Sequence, residues 1–310
     1  MRIKFPISAG LTFISFIGVG YYLYTGVIFF NNTSIHLPSI LIVLLLMPIN
    51  WGLESLKIYQ KFNLNYSFKD CVRITLKGLG LSLVTPFGLG AYVGRALFEE
   101  QEKRDKLLRA SVYASYAQSI VTFGIGLAAF IMFRSSARVA GLSEFNTYLV
   151  TNTMLFAGMA FMCWFFLMDG KSILLNLYLR NTSILIFDAK FYSTFASLIK
   201  LSFLRYLVFG FQYLVLLMPF YSESWSELIL PISIIFMFQT MLVVPPLLSG
   251  LLRGGVAAFI LSPLGIDYTV CLGLASTLFL INLILPALAG SFILFSELRT
   301  QYRIKLLTEK

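Results

Sequence analysis

Four stretches of this chain, residues 5–53, 207–222, 228–252 and 268–296, contain no Lys, Arg, Asp or Glu. A helix needs roughly 20 apolar residues to cross the hydrocarbon core of a bilayer, and runs this long leave few other folds open. They also lack the alternation of lipid-facing and lumen-facing residues that barrel strands carry. Charged residues make up 12% of the 310-residue chain, against about 25% in soluble domains, and mean hydropathy is +0.83. Thirty Phe and sixteen Tyr suit a lipid-facing surface with interfacial anchors. The chain reads as all-α, a polytopic transmembrane helical bundle forming a single integral membrane domain over residues 1–310.

The formal net charge of +10 would also suit a nucleic-acid binder, but in a membrane protein basic residues gather in cytoplasmic loops and fix orientation. Cys71, Cys163 and Cys271 are far apart and form no C-x-x-C pair, so they read as inert buried thiols rather than a zinc site or a disulfide framework. Met1-Arg2-Ile3-Lys4 and the apolar run that follows to Phe30 resemble a signal sequence. With no small-residue cleavage site after a short core, they read as an uncleaved first helix.

Candidate spans lie at about 7–30, 38–58, 108–133, 147–168, 201–220 and 270–296. Two more apolar stretches, about 74–94 and 228–262, are interrupted by Pro and Gly. Arg2 and Lys4 put the N-terminus inside. Lys57, Lys61, Lys69, Arg73 and Lys77 put the segment after the second helix inside. So do Arg95, Lys103, Arg104, Lys106 and Arg109 for residues 95–109. The stretch 74–94 therefore enters and leaves by one face. The outer loop 134–146 carries Arg134 and Arg138, which run against the rule. Lys171, Arg180, Lys190 and Lys200 return the chain inside. The acidic Ser222–Glu227 loop lies outside, and Arg299, Arg303, Lys305 and Lys310 put the C-terminus inside. So 228–262 must also begin and end on one side, the outer one. Two Pro/Gly-broken re-entrant segments entering from opposite faces are the signature of an inverted repeat, here with halves at about 1–133 and 147–300. A short amphipathic helix on the cytoplasmic surface is expected within the hydrophilic stretch 169–198, where Ser183 to Phe187 is apolar again.

The two breaks share a pattern. Pro86 and Gly90 precede Arg95, and Pro246 and Gly250 precede Arg253. A pair of proline kinks would explain the broken ladders, but not an arginine beside each one. Beside unwound backbone, whose N–H groups favour anions, two arginines would hold a phosphate in bidentate fashion. The plainer readings are an interfacial arginine at the headgroup level for Arg95 and a structural ion pair for Arg253. Glu54 is the only acid in the first 69 residues; it would neutralise an arginine, relay a proton or sit at a helix end. Asn50, Gln118, Gln239 and Asn282 lie within apolar runs, where their amides either bind a headgroup or tie helices together. Lys200 and Arg205, near a helix start, read as contacts to lipid phosphates.

Little here supports catalysis. His36 is the only histidine, and there is no H-E-x-x-H, G-x-S-x-G or G-x-x-x-x-G-K-[ST] pattern. No metal, cofactor or catalytic residue is expected. The Glu99–Lys106 stretch reads as a solvated helical connection.

Two segments carry a resemblance to a known family. Thr85-Pro86-Phe87-Gly88-Leu89-Gly90-Ala91-Tyr92-Val93-Gly94-Arg95-Ala96-Leu97-Phe98 resembles the first signature of the flippase-like family named after the lysylphosphatidylglycerol synthase transmembrane region. Pro246–Gly255, followed by Asn282–Gly290, resembles its second. The similarity covers roughly residues 5–300. It implies a helical bundle with two re-entrant elements and lipid translocation. The family's first signature commonly reads Gly-Glu where this chain has Gly90-Ala91. Its second carries an acid shortly before the arginine, where this chain has Ser249-Gly250-Leu251-Leu252. Carboxylate-dependent proton coupling and recognition of a cationic headgroup are therefore not carried over, nor is the aminoacyl transferase domain some relatives add.

Two functions follow as expectations. One is a flippase, in a bacterial inner membrane with both termini cytoplasmic, for a lipid or lipid-linked substrate with an anionic headgroup. The other is a non-transporting membrane subunit that recruits a cell-envelope glycosyltransferase or lipid-modifying enzyme, a reading the missing acids favour.

Overall fold

The computed structural model describes residues 36–61, 66–83, 85, 88–135, 191–241 and 246–308. Every regular element in them is helical. The elements are α1 (Leu37–Lys61), α2 (Phe68–Ser82), α3 (Gly90–Ala96), α4 (Gln101–Ser135), α5 (Phe191–Leu217), α6 (Ile229–Met241), α7 (Pro246–Leu261) and α8 (Tyr268–Phe279). The last runs through a π turn, Leu280–Ile284, into α9 (Leu285–Thr308). Among the described residues, four helices are long and apolar enough to cross a membrane: Leu37–Tyr59, Gln101–Phe133, Phe195–Phe220 and Tyr268–Thr300. They coincide with four of the six expected spans. The other two, 7–30 and 147–168, lie outside the described residues, as does 169–190, most of the stretch in which the short amphipathic helix is expected. Large apolar side chains stand exposed along the spans, among them Leu45 on α1, Phe211 on α5 and Phe292 on α9, as a hydrocarbon solvent requires. The chain is a multi-pass membrane protein.

Both Pro/Gly-interrupted stretches form pairs of short helices, α2 with α3 and α6 with α7, and each pair packs on itself. Ser67 opens α2 with a capping box: its hydroxyl accepts from the Asp70 amide, and the Asp70 carboxylate accepts from the Ser67 amide. The Ser67 hydroxyl also donates to the Asp70 carboxylate at 2.7 Å, and this bond, followed by the one from the Ser67 amide, holds the Asp70 carboxyl below its usual range. Between α2 and α3 the chain turns at Gly88 with φ +67°, a left-handed conformation that glycine adopts without steric cost. The Thr85 hydroxyl then accepts from the Gly90 amide at 2.6 Å, satisfying one orphan donor at the start of α3.

Glycines set the approach of these helices. A Cβ on Gly90 would lie 2.1 Å from the Leu81 carbonyl oxygen, and one on Gly290 would lie 1.8 Å from that of Leu76. The first contact closes the α2–α3 pair, and the second seats α9 on α2. This is the small-residue packing that bilayer helices rely on, because lipid supplies no hydrophobic drive between them.

Three apolar clusters result. One joins α1, α2, α3 and α4 around Ile58, Ile74, Tyr92 and Leu108. A second joins α5, α6, α7 and α8 around Tyr213, Ile235, Ala258 and Leu278. A third, around Trp51, Leu79, Phe279 and Ile284, lies between them. Each broken pair thus has its own core, and α1 contributes to all three. Gly290→Val should lower the midpoint of thermal unfolding by at least about 5 °C through overpacking. Gly124→Ala, where an added Cβ meets nothing within 4 Å, should not lower it and should raise it slightly, because alanine favours the helix. Unfolding in detergent, followed by fluorescence, checks both.

Candidate functional site

The polar residues of α1 lie on one face at helical spacing: Asn50, Glu54 and Lys57, at i, i+4 and i+7. Glu54 is buried and meets three cations, Lys57 at 3.0 Å, Arg95 at 3.0 Å and Arg205 at 3.2 Å. One carboxylate thus pins α3 and α5 to α1. It leaves a formal surplus of two positive charges in the cluster. Arg95 also donates to the Ser111 hydroxyl on α4 at 3.3 Å, while its Nε has no hydrogen-bond partner among the described residues. Lys57 donates to Gln118 Oε1 on α4 at 3.1 Å.

Arg205 lies at the centre of this arrangement. Its Nε donates to Asn50 Oδ1 at 2.7 Å and its Nη1 to Glu54. Its guanidinium sits 4.9 Å from the Trp51 ring centroid and 5.5 Å from that of Phe209, two cation–π contacts that help to orient the group. The side chain is only 13% exposed. The sequence reading placed Arg205 among contacts to lipid phosphates, because it lies near a helix start. The helix in fact begins earlier, at Phe191, so Arg205 falls inside the bundle. Lys57 and Lys77, counted toward a cytoplasmic loop, are likewise buried. Lys77 reaches Glu297 on α9 at 3.1 Å, and Arg73 joins the same carboxylate at 2.9 Å.

A second polar group surrounds the π turn. Pro286 has no N–H to offer the Asn282 carbonyl four residues earlier, and its ring crowds that oxygen. The freed carbonyl accepts from Trp51 Nε1 at 2.9 Å. The Asn282 side chain accepts from Asn50 at 3.2 Å and donates to Gln212 Oε1 at 2.9 Å. Asn50 and Asn282 therefore tie α1, α5 and the π turn together.

These two groups border a cavity of about 250 Å³. Its polar wall comprises Arg205, Arg253, Gln118, Gln239 and Asn282, with the hydroxyls of Thr122 and Thr240. Its apolar wall includes Trp51, Phe209, Phe236 and Phe279. Arg253 packs over the Phe279 ring at 5.4 Å, and its carbonyl accepts from Gln239 at 3.4 Å. No Asp or Glu is among the described residues lining the space.

The sequence candidates divide accordingly. Arg253, Gln118, Gln239 and Asn282 line the cavity. Asn50 and Glu54 stand behind its wall and hold Arg205. Arg95 faces Glu54 and does not line the cavity, so Arg95 and Arg253 do not share one site. Gly90 serves helix approach. Gly250 lies in the first turns of α7 and Pro246 opens that helix, while Pro86 lies outside the described residues. Sequence reasoning missed Arg205, Lys57 and Gln212 as members of the network. Helical spacing would have found them: Glu54 and Lys57 share a face with Asn50, and Gln212 lies seven residues, two turns, beyond Arg205.

Comparison with protein-family models, curated proteins and solved structures finds no match to this chain.

Glu54→Gln would leave three buried cations without a counter-charge, at a cost of about 3–5 kcal/mol. The double variant Glu54→Gln/Arg95→Met should recover part of that loss. A double-mutant cycle on unfolding free energy checks this, and strictly additive losses would show that the two groups are not coupled.

Proposed function

We propose that this protein is a membrane flippase that translocates a lipid or lipid-linked substrate with an anionic headgroup. The observation that carries the reading is the cavity, with Arg205 and Arg253 in its wall and aromatic surface opposite them. Cations are costly inside a bundle and persist beside partners or in wet cavities that need them. Glu54, shared among three cations, cannot neutralise them all. A phosphate entering the cavity supplies the missing negative charge and meets guanidinium groups that aromatic rings help to orient.

The Arg205 contacts suggest how such a site both binds and lets go. Its Nε and Nη1 are occupied by Asn50 and Glu54, which leaves Nη2 for a ligand oxygen. Because Glu54 keeps its hold on the same guanidinium, the ligand shares Arg205 rather than owning it. Binding of that kind is strong enough to admit a headgroup and weak enough to release it. The acyl or prenyl chains stay in lipid while the headgroup crosses.

In this reading the α2–α3 and α6–α7 pairs are re-entrant elements of an inverted repeat, entered from opposite faces of a bacterial inner membrane with both termini cytoplasmic. Their separate cores and the basic flanks of 74–94 support it. The chain would then belong beside the flippase-like family that residues 85–98 and 246–255 resemble. The absence of acids from the described cavity wall agrees with the absence of that family's acids at Ala91 and at residues 249–252.

In proteoliposomes, headgroup-labelled anionic lipid should cross between leaflets in a protein-dependent manner. Arg205→Gln and Arg253→Ala should each slow it by about tenfold or more, the loss expected for one charge-assisted contact. No movement of any labelled lipid by well-folded protein would turn the account to the non-transporting subunit, with co-purification of an envelope enzyme as its own test.

A further inference from the structure

The wall chemistry also selects among anionic headgroups. Resting on the flippase reading, we propose that the cavity takes a phosphate ester bearing an uncharged polyhydroxy group, a glycosyl or polyol phosphate, and rejects headgroups that carry an ammonium.

The charge pattern rules first. Two arginines line the space and no carboxylate does, among the described residues. An ammonium brought into this cavity sheds water, meets like charge, and finds no acid to pair with among the described residues of the wall. A zwitterionic or aminoacylated headgroup therefore loses on its cationic half what it gains on its phosphate.

The uncharged groups then distinguish a polyol from a bare phosphate. Thr122 and Thr240 each spend their hydroxyl proton on a carbonyl four residues back, at 2.9 Å and 2.8 Å. The Thr240 lone pairs remain available as acceptors, and Thr122, which already accepts from Gln118 Nε2 at 3.4 Å, keeps one. Gln239 makes only a long contact, 3.4 Å to the Arg253 carbonyl. Tyr213, also in the wall, is 1% exposed and its hydroxyl has no hydrogen-bond partner among the described residues. Native interiors rarely leave such a group unpaired, and each one asks for a ligand or a water. A fully ionised phosphate only accepts hydrogen bonds, so it cannot serve the Thr240 lone pairs, the remaining one on Thr122 or the Gln239 carbonyl oxygen. A ring of hydroxyls both donates and accepts.

Size agrees. The cavity, at about 250 Å³, falls just under the roughly 300–1,000 Å³ of drug-sized pockets. It suits a headgroup and leaves the chains outside.

The test is equilibrium titration of the purified full chain in a polyoxyethylene detergent, which carries no sugar. Calorimetry would read binding of dioctanoyl phosphatidylinositol, dioctanoyl phosphatidic acid, dioctanoyl phosphatidylethanolamine and chainless glycerophosphoinositol. Phosphatidylinositol should bind at least tenfold tighter than phosphatidic acid or phosphatidylethanolamine. Tyr213→Phe and Gln239→Ala should each cut its advantage over phosphatidic acid at least threefold. Equal affinities, a preference for phosphatidylethanolamine, or no binding of any probe would overturn the proposal. Glycerophosphoinositol bound as tightly as the lipid would uphold the headgroup class with a soluble source; weaker binding would uphold it with a lipid source. Leaflet exchange in liposomes is read separately. Movement without the binding preference overturns this inference and keeps the flippase reading, and the preference without movement does the reverse.

Discussion

Among the described residues, Glu54 carries the one negative charge in a buried layer that also contains Lys57, Arg95 and Arg205. Three of the helices around it, α1, α3 and α5, have no other ionic tie among these residues. The layer exists because taking each cation out of water is too costly without a counter-charge. A single carboxylate is enough to hold the helices and too little to cancel the charge. In the flippase reading, stability and the affinity for an anion come from the same group.

The cavity follows from where that layer meets the π turn. Pro286 breaks the hydrogen-bond ladder, Asn282 presents a free carbonyl, and Trp51 takes it. Trp51 then lies with one ring face against Arg205. A helix defect on one strand of the chain thus fixes the orientation of a guanidinium on another, through one indole. π turns recur at functional sites because they release backbone groups without unfolding the helix. The glycines at 90 and 290 act at a distance from this centre, by letting α2, α3 and α9 close tightly enough to keep α1 in place.

Much of the fold was legible in the sequence because hydrocarbon is an unforgiving solvent. The expected spans at 38–58, 108–133, 201–220 and 270–296 recur as long helices, and the interruptions near Gly88 and Pro246 recur as helix breaks. Charge-free runs and Pro/Gly breaks are strong local signals. The site was legible in part. Gln118, Gln239, Asn282 and Arg253 could be picked out as polar residues in apolar surroundings, and they line one cavity. Arg205 and Lys57 escaped because charge near a helix end has two cheap explanations, a headgroup or a loop, and composition cannot choose between them. Pairing Glu54 with Arg95 and Arg205 is a tertiary fact: the residues are 41 and 151 positions apart, and only the packing of α1 against α3 and α5 brings them together.

The flippase reading requires an anionic headgroup to meet Arg205 and Arg253 in the cavity wall. Native mass spectrometry of the protein released from its membrane measures this most directly. The account predicts anionic lipid retained on the parent and lost from the Arg205→Gln/Arg253→Ala variant, with zwitterionic lipid on neither. The same lipid adducts on parent and variant would contradict it.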